Sequence, residues 1–365
     1  MKQICVIYDG TIYTYRWLSA LLASKKIFAK HNYSISIPGV LHSINQKDSA
    51  EKLLDKIKHT DIIMLAFHPG GKYYQPKERI MRILQKARKK CEKIVWLDTS
   101  DSAGTTFFEV MPYVDKYLKK QTYVDLSLYN KELCRDRLFC EYYSKRPDVI
   151  ITDDDVPHNI PIDAKNLKKL GISWNVGLGI LFERNKYRFI MNLDRRKDYI
   201  DFLNPNINKR YDIFYRGSLY NSITGFQRKL AIDSIMELTC IHPDPNIRVS
   251  QEEYDKEILE SKTILSPFGW GEICTRDFEA FKNGALLIKP DMSHLKTYPD
   301  YFVDGKTYVS INWDFVNLND KLQEVLADTD KYYFISRNGQ EIYKKSLSLE
   351  GKEDFVRHIL KEIDV

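Results

Sequence analysis

Residues 266–290, SPFGWGEICTRDFEAFKNGALLIKP, decide the fold of this chain. The stretch follows an apolar run, has a turn at Gly269 and Gly271 and continues with helical spacing. The helical pattern ends at Gly284, and a second apolar run follows. Strand, turn, helix and strand in this order form one unit of a parallel α/β sheet. Glycines let the backbone turn tightly and approach a ligand, and the following helix directs its N-terminal amides at the turn. A phosphate-binding turn and an ordinary α/β connection both fit this pattern.

The same alternation extends outward over the whole chain. In the first half, strand-like apolar runs lie at residues 4–8, 61–67, 93–98 and 148–152, and helical patterns lie at 12–30 and 77–90. In the second half, strands are predicted at 211–215, 263–265 and 285–289, and helices at 224–238, from 250 onward and at 352–362. Continuous apolar runs separated by helices are typical of buried parallel strands.

We therefore predict an α/β protein with two Rossmann-like doubly wound domains facing a cleft. A length of 365 residues suits two domains, and a hydrophobic content of 43% suffices for two packed cores. The predicted boundaries are an N-terminal Rossmann-like domain at 1–175, a linker at 176–210, a C-terminal Rossmann-like domain at 211–350 and a C-terminal helix at 351–365.

Basic residues cluster at 86–93, 116–120 and 195–197, and the net charge is +6. A solvated helix face is the default interpretation of each cluster, and peripheral contact with an anionic membrane or a phosphorylated ligand is the alternative. No arginine-rich tail, zinc finger or RNA-binding signature occurs, so we expect no nucleic-acid partner.

The six cysteines form no CxxC pair, which excludes a zinc ribbon and indicates reduced thiols in a cytosolic protein. The N-terminus MKQICVIYDG has no long apolar core of a signal peptide, and no run of 18 apolar residues occurs. We therefore expect a cytoplasmic protein, with any membrane contact peripheral and on the inner face.

The run from Arg276 to Ala280, followed by Gly284 and Ile288, has the pattern R-x-x-E-A-x-x-x-G-x-x-x-I. It resembles the GT-B superfamily of glycosyltransferases, and is most similar to the exostosin-like branch and its bacterial surface-polysaccharide relatives. The resemblance implies that Arg276 contacts the diphosphate and Glu279 the ribose of a nucleotide-sugar donor. It also implies transfer to a saccharide or lipid-linked saccharide acceptor in lipopolysaccharide or capsule assembly, without a cofactor or a metal ion.

This sequence departs from the family in one respect. Retaining members often carry two glutamates with seven residues between them, whereas Glu272 and Glu279 have six between them and Gly271 occupies the usual first position. We therefore expect an inverting transfer. The predicted donor site comprises Arg216, Gly217, Gly269, Gly271, Glu272, Arg276 and Glu279. Arg216 and Gly217 follow the first strand of the second half, where a donor-phosphate contact and a plain turn are equally good interpretations.

An inverting transfer needs a base for the acceptor hydroxyl, and three residues of the first half are candidates. Asp98 and Asp101 lie in the polar loop after the strand KIVWLD, and His68 follows another predicted strand. Capping of a predicted helix at 105–120 is the alternative role for Asp101, and a structural turn is the alternative for His68. The Asp153-Asp154-Asp155 run is read as a surface loop, so no metal site is predicted.

Two other functions are compatible with the same scaffold. One is a nucleotide-sugar epimerase or a phosphorylase, and the other is a non-catalytic protein that binds nucleotides or sugars. The sequence leaves these alternatives open because a fold does not determine a reaction.

Overall fold

The computed structural model describes residues 1–38, 49–68, 77–180, 201–219 and 222–364. Its first half contains a six-stranded parallel sheet with strand order β2-β1-β3-β4-β5-β7. These strands are β1 (Lys2–Tyr8), β2 (Tyr33–Ser36), β3 (Thr60–Phe67), β4 (Cys91–Asp98), β5 (Lys116–Lys119) and β7 (Leu170–Ile172). A short strand outside this sheet, β6 (Gln121–Tyr123), follows β5.

Helices cover both faces of this sheet. They are α1 (Ile12–Ala23), α2 (Lys25–Lys30), α3 (Ala50–Lys56), α4 (Lys77–Arg88), α5 (Leu138–Ser144), α6 (Ala164–Leu167) and α7 (Gly177–Ile180). Alternate residues of a strand point to opposite faces, and in β1 Ile4 and Val6 join one buried cluster while Cys5 and Ile7 join another. The sheet is therefore doubly wound, which confirms the predicted fold class for this half.

The second half contains a four-stranded parallel sheet with strand order β12-β10-β9-β8. Its strands are β8 (Tyr211–Phe214), β9 (Ser261–Leu265), β10 (Leu286–Pro290) and β12 (Val309–Ile311). The helices are α8 (Ile223–Met236), α9 (Gln251–Leu259), α10 (Thr275–Lys282), α11 (Leu318–Ala327) and α12 (Thr329–Leu347), and β11 (Leu295–Thr297) lies outside the sheet. The predicted strand–turn–helix–strand unit is confirmed as β9, α10 and β10.

Two connections tie the halves together. β11 pairs with β6 as a two-stranded antiparallel sheet, so each half contributes one strand. The last helix, α13 (Leu349–Asp364), returns to the first half, where Phe355 and Val356 pack in the same cluster as Trp174. His358 of this helix contacts the carbonyl oxygens of Ile172 and Ser173, both at 2.9 Å. The C-terminal helix is therefore part of the core of the first half.

Two elements predicted for the first half are wrong. Residues 148–152 form no strand, and the side chains of Ile150 and Ile151 are 84% and 48% exposed. Residues 116–119 form strand β5 rather than the end of a helix, and Lys116 and Lys119 are buried. The basic cluster at 116–120 is thus an interior feature and not a solvated helix face.

Part of the predicted linker, residues 181–200, lies outside the described residues, as does the basic cluster at 195–197. All six cysteines are free thiols, as expected for a reduced protein. Among the described residues, no helix combines the length and apolar composition needed to cross a bilayer.

Candidate active site

The glycine turn between β9 and α10 is held rigid by a buried carboxylate, that of Asp277. One of its oxygens accepts a hydrogen bond from the backbone N–H of Cys274 at 3.0 Å, which caps the helix. The other accepts from the Ser266 hydroxyl and, at 3.2 Å, from the ammonium of Lys289. Because Asp277 and Lys289 are fully buried, strand β9, helix α10 and strand β10 are fixed relative to one another.

Arg276, in the first turn of α10, has unused hydrogen-bonding capacity. Its Nη2 donates to the carbonyl oxygen of Arg216 at 2.8 Å, and its guanidinium lies 4.8 Å from the centre of the Tyr215 ring. Its Nε and Nη1 atoms are buried and have no hydrogen-bond partner among the described residues. Buried donors are nearly always paired, so these two nitrogen atoms point to a ligand that accepts hydrogen bonds.

A second guanidinium, that of Arg228 on α8, lies against the same turn. Its Nη2 atom is 2.4 Å from the position that a Cβ on Gly269 would occupy, and its Nη1 atom donates to the carbonyl of Ser218 at 2.9 Å. The Cys274 thiol lies within electrostatic range of both Arg228 and Arg276. Two arginines therefore flank the glycine turn, although the sequence analysis identified only Arg276.

Glu279 lies one turn further along α10, as the predicted ribose contact requires. One of its carboxylate oxygens accepts a hydrogen bond from the Tyr254 hydroxyl at 2.8 Å. Burial raises the pKa of Tyr254, so the phenol stays protonated and remains a donor. The second carboxylate oxygen of Glu279 makes no hydrogen bond within the described chain and remains able to accept one.

Arg216 is placed differently from the prediction. Its guanidinium forms a two-pronged ion pair with Glu257, and its Nη1 donates to the backbone carbonyls of Asp244 and Ile247. Its side chain therefore braces the end of β8, and only its backbone carbonyl reaches Arg276. Gly217 is packed against the ring of Tyr215, where a Cβ would come within 2.3 Å of the hydroxyl oxygen.

Across from the glycine turn lies the loop that follows β4. Asp98 is buried and accepts hydrogen bonds from Lys119 at 2.6 Å and from the Tyr117 hydroxyl at 2.7 Å. Burial alone would raise the pKa of Asp98, but the ammonium of Lys119 lowers it below its ordinary value. Asp98 is thus a structural carboxylate that anchors the loop, and it lies away from open solvent.

Asp101 occupies the tip of this loop, and its side chain is 51% exposed. Burial of its neighbourhood opposes ionisation, but Lys120, at 3.1 Å, lowers the pKa of the Asp101 carboxyl, and His68 contributes in the same direction. The predicted helix at 105–120 is absent, so the capping role suggested for Asp101 does not apply. His68 is half-buried, and its backbone N–H donates to Asp9 at 2.6 Å.

The two loops are in direct contact at Gly271 and Glu272. A Cβ on Gly271 would lie 1.8 Å from the carbonyl oxygen of Asp101, so only glycine fits. Glu272 is fully buried and accepts hydrogen bonds from the Ser102 hydroxyl at 2.9 Å and from the Ala103 N–H at 3.1 Å. Gly271, Glu272 and Asp101 are therefore brought together, and His68 lies within electrostatic range of Asp101, while Arg276 and Glu279 lie further along, on helix α10.

Within the parts of the chain that the structure describes, no three His, Cys, Asp or Glu side chains converge as they would around a metal ion. Asp155 instead accepts hydrogen bonds from the backbone and hydroxyl of Thr152 and from Arg135. The absence of a cofactor and of a metal requirement stays a prediction.

No family model and no curated protein matches the sequence. Among solved structures, an α-glucosyltransferase in complex with UDP and a 13-mer DNA containing an HMU base aligns over 98% of this chain and 100% of its own length. The identity is 10% and the TM-score 0.50. The chain has the GT-B fold.

The same α-glucosyltransferase in complex with UDP alone aligns at 10% identity over 98% of this chain and 100% of its own, with a TM-score of 0.49. A UDP-N-acetylglucosamine 2-epimerase aligns at 11% identity over 99% and 95%, with a TM-score of 0.43. In the GT-B fold of this chain, the carboxyl ends of β4 and β9 meet at the contact between Asp101 and Gly271, which is where α/β sheets bind ligands.

Proposed function

We propose that this chain is a glycosyltransferase that uses a nucleotide diphosphate sugar. The observation that carries the proposal is the pair of buried, unpartnered nitrogen atoms of Arg276, Nε and Nη1, beside the glycine turn. A diphosphate supplies the acceptor oxygens that these groups lack, and the N-terminus of α10 favours the same negative charge. The similarity to a UDP-binding α-glucosyltransferase supports the choice of UDP as the first ligand to test.

The diphosphate would lie between Arg276 and Arg228, with Gly269 allowing close approach to the backbone. Hydrogen bonds from a guanidinium to an anion contribute about 1.5–3 kcal/mol each. Glu279 would accept a hydrogen bond from a ribose hydroxyl with the oxygen that Tyr254 leaves unused. The nucleotide side of the site thus belongs to the second half of the chain.

The acceptor would enter from the first half, where Asp101 is the proposed base for an inverting transfer. Its lowered pKa keeps Asp101 ionised at neutral pH, as a general base must be, although Lys120 also weakens its affinity for a proton. His68, within electrostatic range, is the alternative base. The resemblance to surface-polysaccharide enzymes suggests a saccharide or lipid-linked saccharide acceptor in lipopolysaccharide or capsule assembly, in the cytoplasm or at the inner face of the membrane.

Calorimetric titration with UDP and UMP tests the donor site directly. In Arg276→Ala, the Kd for UDP should rise by about 30-fold, which corresponds to about 2 kcal/mol, because a charged hydrogen-bond donor is lost. The Kd for UMP should change much less, because UMP lacks the β-phosphate. Arg210→Ala is the matched control. Arg210 precedes the first residue of β8, whereas Arg216 follows its last residue, and the side chain of Arg210 is 64% exposed. Equal UDP affinity in wild-type protein and a folded Arg276→Ala variant would refute the site.

Turnover distinguishes the three candidate functions. Hydrolysis of a UDP-, GDP- or dTDP-sugar and its transfer to a saccharide support a glycosyltransferase. Interconversion of free nucleotide sugars would establish an epimerase, and nucleotide binding without turnover would establish a binding protein. The acceptor panel should include DNA with a modified base, because the α-glucosyltransferase was solved with such a DNA. Transfer to DNA would contradict the expectation that the chain has no nucleic-acid partner.

A further inference from the structure

His294 lies just beyond the carboxyl end of β10 and is surrounded by aromatic rings. The ring centres of Trp313, Phe268 and Tyr123 are 4.9, 6.1 and 6.5 Å from that of His294. Tyr123 belongs to the first half of the chain and the other two rings belong to the second, so His294 lies where the halves meet. Both of its ring nitrogens are buried and make no hydrogen bond of full geometry among the residues described, and the nearest backbone group is that of Asp291.

This arrangement carries a stability cost. A neutral imidazole has one donor and one acceptor, and a buried polar atom without a partner destabilises the folded protein. Burial lowers the pKa of His294, and the positive charge of Lys289 lowers it further. Glu272 and Asp291 raise it, but by less than burial lowers it. The ring is therefore neutral at pH 7 and offers both a donor and an acceptor. A phenylalanine would fill the same aromatic surroundings without this cost.

The position of His294 relates it to the donor site. Phe268, whose ring faces His294, immediately precedes Gly269 of the glycine turn, and its carbonyl accepts a hydrogen bond from Arg228 at 3.4 Å. Phe268 therefore contacts His294 through its ring and Arg228, beside the proposed diphosphate position, through its backbone carbonyl. A sugar attached to that diphosphate is the nearest part of the donor that carries hydroxyl groups able both to donate and to accept.

We propose that His294 recognises a hydroxyl of the transferred sugar and thereby determines donor specificity. This inference rests on the proposed function. The imidazole would pair with the hydroxyl, and Trp313, the one of the three rings that is only partly buried, would contact the apolar face of the sugar ring. A site that uses buried groups to bind a hydroxyl discriminates strongly against a sugar that lacks it, because those groups then remain unpaired.

His294→Phe and His294→Gln test the proposal against a packing role. The probes are UDP, the UDP-sugar that the wild-type protein turns over, and the monodeoxy analogues of that sugar. In His294→Phe, we expect an unchanged or higher Tm, an unchanged Kd for UDP and a fall in kcat/KM for the UDP-sugar of at least about tenfold. His294→Gln keeps a donor and an acceptor and should retain more activity.

The deoxy analogues give the sharpest result. One analogue should be a poor substrate for wild-type protein, and the discrimination against it should disappear in His294→Phe. Wild-type kcat/KM in folded His294→Phe, with discrimination intact, would overturn the proposal and leave His294 a packing residue. If His294→Phe does not fold, the same comparison in His294→Leu, which also lacks a donor and an acceptor, decides. Failure of wild-type protein to bind UDP or turn over any nucleotide sugar would instead refute the proposed function itself.

Discussion

The contact between Gly271 and the loop of Asp101 makes a strong prediction about the substitution Gly271→Ala. The new Cβ would lie 1.8 Å from the carbonyl oxygen and 2.2 Å from the carbonyl carbon of Asp101, both backbone atoms. Contacts of a Cβ below 3.0 Å are essentially never seen, so the two loops must separate by about 1.2 Å. A rotamer change cannot relieve this contact.

The loss of stability can be estimated from the hydrogen bonds of the next residue, Glu272. Glu272 is held by hydrogen bonds of 2.9 and 3.1 Å to the same loop, and a separation of this size would break them. Overpacking costs about 1–3 kcal/mol, and a lost hydrogen bond to a charged group about 1.5–3 kcal/mol. We therefore expect the free energy of unfolding of Gly271→Ala to fall by about 3–5 kcal/mol.

Gly269→Ala is the matched substitution, two residues away in the same turn. Its Cβ would meet Nη2 of Arg228 at 2.4 Å, the end of a flexible side chain that can move aside. We expect its stability in urea, followed by tryptophan fluorescence, to stay within about 1 kcal/mol of wild type, while its affinity for UDP falls because Arg228 is displaced. Wild-type stability in Gly271→Ala would show that the two loops do not pack as described.

Three further substitutions test other parts of the molecule. Lys119→Met should destabilise the protein by about 3–5 kcal/mol, because it leaves Asp98 as an unpaired buried charge, and adding Asp98→Asn should recover most of the loss in urea unfolding. Asp101→Asn should lower the transfer rate by about two to four orders of magnitude with an unchanged Kd for UDP, and retention of more than about a tenth of the rate would exclude the base role. Burial lowers the pKa of His358, so the unfolded chain binds more protons below about pH 6.5 and stability should decrease as the pH falls through this range. His358→Gln should flatten that dependence, and an unchanged slope between pH 7.5 and 5.5 would contradict it.

Local patterns were enough to predict the central turn and the strands β1, β3, β4, β8, β9 and β10, whose apolar runs are continuous. The Ser250 and Glu253 pair marks the start of α9, where the Ser250 hydroxyl accepts from Glu253 N–H at 3.1 Å. Strand β5 was missed because Lys116 and Lys119 within it and Lys120 after it indicate a solvent face. Lys119 is buried only because Asp98, 21 residues earlier, neutralises it. A pairing over this distance produces no recognisable pattern in the sequence around Lys119.

In the candidate site, too, some residues could be predicted from local patterns and others could not. Arg276 and Glu279 lie in a recognisable pattern, whereas Arg228 is one of several basic residues on a helix with no distinguishing spacing. His294 did have a signal, since it follows the apolar run of β10 and ligands bind beyond the carboxyl ends of parallel strands. Tyr123 and the other rings around His294 come from distant parts of the chain, so their convergence could not be read from the sequence.

The return of α13 to the first half has a consequence for biosynthesis. The ring of Trp174 packs edge-on against Phe355 at 5.4 Å, and the two residues are separated by most of the second half of the chain. At about 5–20 residues per second, a ribosome needs roughly 10–40 s to make the intervening stretch. The nascent first sheet therefore keeps an aromatic surface uncovered until α13 has been made. The N-terminal half cannot complete its folding before the second half has been synthesised.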